Sequence, residues 1–338
     1  MSTELRRVHL IATGGTIASK ATSSTAVVGY TGYAPSVFSI ADLLEAVPGA
    51  EEAAQLTAEQ LFRKQSPDIT DQDMMCIGRR IQEVLDRDEA DGVVLVMGTD
   101  TIEEVSYFLH LTLKTHCPVV VVGAMRPAGV LSSDGPLNLY NAIRVAAAPQ
   151  SRDQGVLVVM NDFIICARDV MKASSCKVES FGGGYYGVVG TVRNGQVTFF
   201  YRTARPFGLT SRFSLKDLPE VLPRVDNIYM YQGCGADLVK AAFTLKPEAL
   251  VIGGFGNGAI HNEIRDYYRA HKGEDLPILV RACRAPYGGS FGDYGRFDEE
   301  LGCFPAGDML PSKIRILMKL ALSQTHDLEE IKAIFAQY

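Results

Sequence analysis

No two cysteines in this chain are spaced as a CxxC pair, and their number is odd: seven, at positions 76, 117, 166, 176, 234, 283 and 303. That pattern supports neither a disulfide framework nor a zinc ribbon, and free, buried thiols are the expectation. No apolar run approaches the roughly 20 residues that cross a bilayer. After Met1–Arg7 the apolar stretch Val8–Ala12 is too short for the core of an export signal. A reducing cytoplasm is therefore the expected compartment. Basic charge is not in excess either, since 33 lysines and arginines face 39 acidic residues for a net charge of −6. Scattered positive charge of this kind offers no stripe for a nucleic acid backbone, so neither nucleic acid nor membrane is an expected partner. The histidines at 9, 110, 116, 261, 271 and 326 show no metal-ligand spacing, and no GxGxxG fingerprint follows a strand. Repeats and low-complexity tracts are absent as well.

What is present is length and apolar content. At roughly 150 residues per domain, 338 residues with 47% apolar side chains suggest two domains, each able to bury a core. Short apolar runs recur at Val8–Ala12, Val93–Met97, Pro118–Val122, Val156–Met160, Ile228–Tyr231, Leu250–Ile252 and Ile278–Val280. They read as buried strands. Helical periodicity fills several of the gaps, at Asp71–Leu85 with Thr70 and Asp73 as a capping box, at Ile102–Leu113 and at Gly135–Ala147. Alternation at this spacing predicts an α/β fold with a mainly parallel sheet and helices on both faces. Short β-like pieces around an Asn194-Gly195 hairpin signal follow, and then a weakly patterned stretch with prolines at 206, 219 and 223. The expected layout is a larger domain over residues 1–203, a linker over 204–223 and a smaller α/β domain over 224–338. The last of these closes with helices at Ser312–Leu322 and Leu328–Phe335, the second capped by Asp327.

Four segments at strand ends could carry chemistry, because open α/β sheets place ligands at the carboxyl ends of their strands. In Ala12-Thr13-Gly14-Gly15-Thr16-Ile17-Ala18 two glycines permit a sharp turn. The hydroxyl of Thr16 either projects into a crevice or belongs to a turn capped by threonines. Met97-Gly98-Thr99-Asp100-Thr101 precedes a helix, for which Asp100 or Thr101 as a cap is sufficient explanation by itself. Val122–Pro127 carries Arg126, ordinarily an ion-pair partner, and leads to Ser133-Asp134-Gly135-Pro136. Arg168-Asp169-Val170-Met171-Lys172 follows Asn161-Asp162. A surface lysine is ordinarily just solvated, but one turned inward among hydroxyls could serve as a base. Two hydroxyls, a carboxylate and a lysine together form an alternative to a serine–histidine pair, and no histidine lies in these motifs.

The stretches ATGGTIAS, MGTDT, VVVVGAMRP, SSDGPLNLYNA, GVLVVMND and RDVMK occur in the order seen in bacterial type II-like L-asparaginases. The resemblance covers almost the whole chain and continues through GGFGNGAI (Gly253–Ile260), Arg284-Ala285-Pro286 and the C-terminal LALSQTHDLEEIKAIFAQY. It implies a two-domain α/β amidohydrolase of the asparaginase-like fold, a homotetramer built from intimate dimers or a homodimer, that uses neither metal nor organic cofactor. By matched position Thr16 is the nucleophile that forms an acyl-threonine ester. Thr99, Asp100 and Lys172 resemble the relay that activates a hydroxyl or water. Backbone N–H groups near Thr16 and around Gly98–Thr99 would hold the oxyanion, and the Ala124 carbonyl the leaving nitrogen. The mobile tyrosine of the family matches Tyr33, or else Tyr30.

The chain departs from the family where substrate is held. The family's Ser-Gln or Ser-Glu pair, which grips the α-carboxylate and α-amino groups, is Ser66-Pro67 here. The glutamate that reaches the α-ammonium from a neighbouring subunit falls at Gly295, and the family asparagine within the segment resembling Tyr229–Asp237 is replaced within Gln232–Gly235. The usual histidine before GTDT is Met97. Loss of a hydrogen-bonded charge costs about 2–5 kcal/mol, which predicts a small amide, lactam or ester substrate without the usual free α-ammonium. Two alternatives stand beside it. One is an ordinary L-asparaginase using Asp293, Tyr294 or Asp298 in place of the missing carboxylate, and the other is a non-catalytic small-ligand binder of the same fold.

Overall fold

The structure is a computed structural model and describes residues 4–26, 33–272, 274–292 and 297–338. The chain divides into two compact units, Met1–Leu215 and Lys216–Tyr338. The strands of the first are β1 (Arg7–Gly14), β2 (Lys20–Ala21), β3 (Tyr33–Ala34), β4 (Gln55–Lys64), β5 (Gly92–Val96), β6 (Val119–Val122), β7 (Val156–Met160), β8 (Phe163–Cys166), β9 (Met171–Lys172), β10 (Phe181–Gly182), β11 (Gly190–Arg193) and β12 (Gln196–Phe199). Its helices are α1 (Ile40–Glu45), α2 (Ala50–Ala53), α3 (Asp71–Asp86), α4 (Ile102–Thr112) and α5 (Gly135–Ala147).

Eight of these strands form one sheet in the order β12-β11-β8-β7-β6-β5-β1-β4. The run from β4 to β7 is parallel, and β8, β11 and β12 add antiparallel pairings at the other edge. Val119–Val122 shows why the centre is parallel. Four consecutive valines are buried on both faces, which suits a strand covered by helices above and below. Along β1, Val8, Leu10 and Ala12 join Leu139, Ala142, Ile143 and Ala146 of α5 in one apolar cluster, and the intervening Ile11 is buried as well. Thr70 and Asp73 close the expected capping box on α3, and α5 begins with Pro136 in its first turn.

Two strands of the eight-stranded sheet, β4 and β8, escape the sequence reading. Strand β4 holds only exposed and half-buried residues because it lies at the sheet edge, where β1 supplies its ladder from one side. Strand β8 turns back on β7 through Asn161 (φ 49°) and Asp162 (φ 64°), which therefore form a tight hairpin turn and not a chemical motif. The Asn194-Gly195 hairpin between β11 and β12 is present, with φ of 49° and 72°. Residues 204–215 of the segment read as a connector lie in the first unit, where Phe207 packs 4.9 Å from the His110 ring and Lys114 donates to the Gly208 carbonyl.

The second unit carries a four-stranded parallel sheet, β13 (Val225–Tyr229), β14 (Ala249–Gly254), β15 (Ile278–Cys283) and β16 (Phe304–Pro305), in that order. Its helices are α6 (Asp237–Phe243), α7 (Asn262–Ala270), α8 (Phe297–Leu301), α9 (Pro311–Leu322) and α10 (Leu328–Gln337), and Asp327 caps α10 as expected. Fully buried Arg281 pairs with Asp298 at 2.5 Å and also donates to the carbonyls of Asn257 and Gly292. All seven cysteines are free, but the expectation of burial fails for Cys76 and Cys176, which are exposed. No helix among the described residues is long and apolar enough to cross a membrane.

Candidate active site

Register brings three of the sequence motifs to one sheet edge. Ala12 pairs with Val96, and Val96 with Val122, so the loops that follow β1, β5 and β6 leave the sheet at the same level. The glycines then let two of these loops touch. A Cβ on Gly15 would lie 2.2 Å from the Gly98 Cα, and Gly15 sits at φ 89°. Glycine is required there by both contact and conformation. Thr16 follows immediately, half-buried at the start of a short 3-10 turn, Thr16–Ala18. Its hydroxyl makes no hydrogen bond among the described residues, whereas that of Thr13 is buried and donates to the Val96 carbonyl at 3.3 Å. Of the two threonines, only Thr13 is spent on the turn.

The second motif does more than begin a helix. Thr101 occupies the N-cap of α4 without a side-chain capping bond and donates instead to the Ser66 carbonyl at 3.2 Å. Asp100 receives the Ser66 hydroxyl on Oδ2 at 2.9 Å and Lys172 Nζ on Oδ1 at 2.5 Å. Lys172 Nζ also donates to Thr99 Oγ1 at 2.9 Å. Capping, the sufficient explanation from sequence, is thus replaced by a line of alcohol, amine and carboxylate. Lys172 is turned inward, with 18% of its side chain exposed, and its backbone N–H is held by Glu103 Oε1 at 2.6 Å. The rest of that motif is structural: Arg168 and Asp169 form a buried ion pair at 2.9 Å.

Ala124 is buried in the loop after β6. The loop is fixed by Asp134, which accepts from the N–H groups of Met125 and Arg126 at 2.9 Å, and by Asn138, which donates to the Gly123 carbonyl at 3.1 Å. Among the described residues Arg126 forms no ion pair of the kind its position suggested; it donates to the Ser132 carbonyl, and its buried Nε has no partner among them. Gly98 and Ser66 are buried, and Pro67 is exposed. Tyr33 contributes backbone to the β2–β3 ladder. Tyr30, Asp293, Tyr294 and Gly295 lie outside the described residues.

Sequence reasoning missed Ser36, Gln65, Glu103 and Asn138. Only the last carried a usable signal, an amide at a buried helical position, where a polar group needs a partner.

The fold and these loops define an α/β protein with a hydroxyl, amine and carboxylate site at the carboxyl edge of its larger sheet. Residues 7–205 match the family "Asparaginase, N-terminal" and residues 224–335 match "Glutaminase/Asparaginase C-terminal domain". L-asparaginase 2 of Bacillus subtilis (strain 168) is 36% identical over 99% of this chain and 87% of its own. L-asparaginase 2 of Escherichia coli (strain K12) is 37% identical over 99% of this chain and 94% of its own. The crystal structure of a probable cytoplasmic L-asparaginase from Campylobacter jejuni superimposes with a TM-score of 0.92 at 35% identity, covering 98% of this chain and all of that one. The chain belongs to the asparaginase family. It is an amidohydrolase, a hydrolase of carbon–nitrogen bonds acting on a small molecule.

Proposed function

We propose that the chain hydrolyses a side-chain carboxamide through Thr16. The Thr16 Oγ1 attacks the amide carbonyl, the nitrogen leaves as ammonia, and an acyl-threonine ester remains. Water then attacks the ester, giving the acid and restoring the threonine. Lys172, between Thr99 Oγ1 and Asp100, is suited to move the protons these steps require. The observation that carries this reading is a half-buried threonine hydroxyl without a hydrogen bond among the described residues, in a turn whose glycine touches the glycine before Thr99. Gly98 and Ala124 would line the amide end of the substrate. Tyr33 would act from the early loop.

L-asparagine is the simplest substrate, supported by the names of relatives that match the chain over almost its full length. One observation favours the second reading, a substrate without a free α-ammonium. The Ser66 hydroxyl is shared with Asp100, and exposed Pro67 supplies no polar side chain beside it. Ammonia release from L-Asn, D-Asn, L-Gln, succinamate and N-substituted asparagines, with Thr16→Ala as blank, separates the two. Fast, Thr16-dependent turnover of L-Asn supports the first. Poor L-Asn turnover with activity on succinamate supports the second. Silence across the panel would direct the search to lactams and esters, whose hydrolysis releases no ammonia. A cytoplasmic homotetramer is the proposed working form, its compartment supported by the cytoplasmic description of the Campylobacter jejuni protein.

A further inference from the structure

We propose that Ser36 is a positioning residue for the nucleophile. The proposal rests on the reading of Thr16 given above and deepens it. Ser36 sits at φ 48°, in the left-handed region that a serine rarely adopts. Such a conformation persists where the surroundings hold it in place, and here they do so at the turn before Thr16. The Ser36 hydroxyl accepts the Gly15 N–H at 3.1 Å and Gln65 Nε2 at 2.8 Å, which occupies both of its lone pairs. The Ser36 N–H donates to Ser19 Oγ at 3.0 Å, and Ser19 Oγ donates to the Gly15 carbonyl at 2.9 Å. Ser19 is fully buried.

Both polar groups of Gly15 are therefore held by two serines that also bind each other. Gly15 must be glycine because Gly98 leaves no room for a Cβ, so the residue before Thr16 brings the widest conformational freedom of any amino acid. The restraint has to come from outside the turn, and the Ser36 hydroxyl supplies part of it. A glycine at position 36 would relieve the backbone but could not bind the Gly15 N–H. The same hydroxyl reaches the relay, because Gln65 precedes Ser66, whose hydroxyl bonds to Asp100. Ser36 thus ties the turn of the nucleophile to the strand end that braces Asp100 and Lys172.

Ser36→Gly is the discriminating variant, since glycine accepts φ 48° and keeps the backbone N–H that bonds Ser19 while removing the hydroxymethyl group that holds Gly15 and Gln65. Kinetics are read with L-asparagine, or with succinamate if that is the amide turned over, alongside the melting temperature. The expected result is a kcat lower by about 10–100-fold, a KM within about twofold and no fall in melting temperature, because small displacements of a reacting group are costly. Gln65→Leu should lower kcat less. Adding it to Ser36→Gly should cause no further loss, since Gln65 acts through Ser36. A parental kcat in Ser36→Gly with Thr16→Ala inactive overturns this proposal alone. Turnover that survives Thr16→Ala overturns it together with the reading of Thr16. A kcat loss that follows a loss of thermal stability also overturns it.

Discussion

Lys172 Nζ lies 2.9 Å from Thr99 Oγ1 although 73 positions separate the two residues in the chain. The amine lies against Asp100 on its other side, so it joins an alcohol to a carboxylate within a half-buried setting. That placement suits it to move protons for Thr16.

Lys172→Met keeps much of the side-chain length and removes the amine. Steady-state ammonia release should show kcat reduced by about 10²–10⁴-fold, the usual worth of a general acid–base group. Lys172→Arg should recover little, because a planar guanidinium does not fit between Thr99 and Asp100 as an ammonium does and does not give up its proton. Parental kcat in Lys172→Met would remove Lys172 from the mechanism.

Much of this arrangement is legible in the sequence, and the exceptions have physical causes. The valine-rich strands and the capped helix α3 announce themselves because burial on both faces and a capping box are local patterns. Strand β4 does not, since an edge strand half in solvent needs no continuous apolar run. Asn161-Asp162 looks like candidate chemistry beside the Arg168–Lys172 motif, yet its positive φ values serve a hairpin. Asp100 and Thr101 are ambiguous with a helix cap until Lys172 and Ser66 are seen to engage Asp100 and the Ser66 carbonyl to take the Thr101 hydroxyl. The bond from Gly15 to Ser36 spans 21 positions and carries no propensity signature, so only the folded chain reveals it.

Asp73 makes acid stability testable. Burial raises its proton affinity, but the Lys64 ammonium at 2.7 Å and the Thr70 hydrogen bonds outweigh that and hold its carboxyl below the usual range. A depressed folded-state value means that this contribution is present above the unfolded value near pH 4 and is lost as pH falls through the folded one. Denaturant unfolding at stepped pH should show parental stability falling below about pH 4. Asp73→Asn should be less stable by about 1 kcal/mol at pH 7, and its profile should be flatter in the acid range. Parallel profiles for the two proteins would contradict the assignment.

Asp298→Ala tests the second unit. The Arg281 residue is wholly buried, and this substitution removes the carboxylate that accepts from its Nε and its second terminal nitrogen. The expected destabilisation is about 3–5 kcal/mol by denaturant unfolding, and Arg281→Met with Asp298→Leu should recover part of it, because no charge is then left buried. A loss under about 1 kcal/mol in the single variant would mean that solvent reaches the guanidinium.

If Thr16 carries the acyl group, the ester can be trapped: enzyme is quenched by acid during turnover of L-asparagine or succinamate, weighed by mass spectrometry and mapped by peptide. The expected result is an added acyl mass on the peptide containing Thr16, sensitive to hydroxylamine as an ester is, and absent along with ammonia release in Thr16→Ala. An adduct on another residue, or parental turnover in Thr16→Ala, would contradict it.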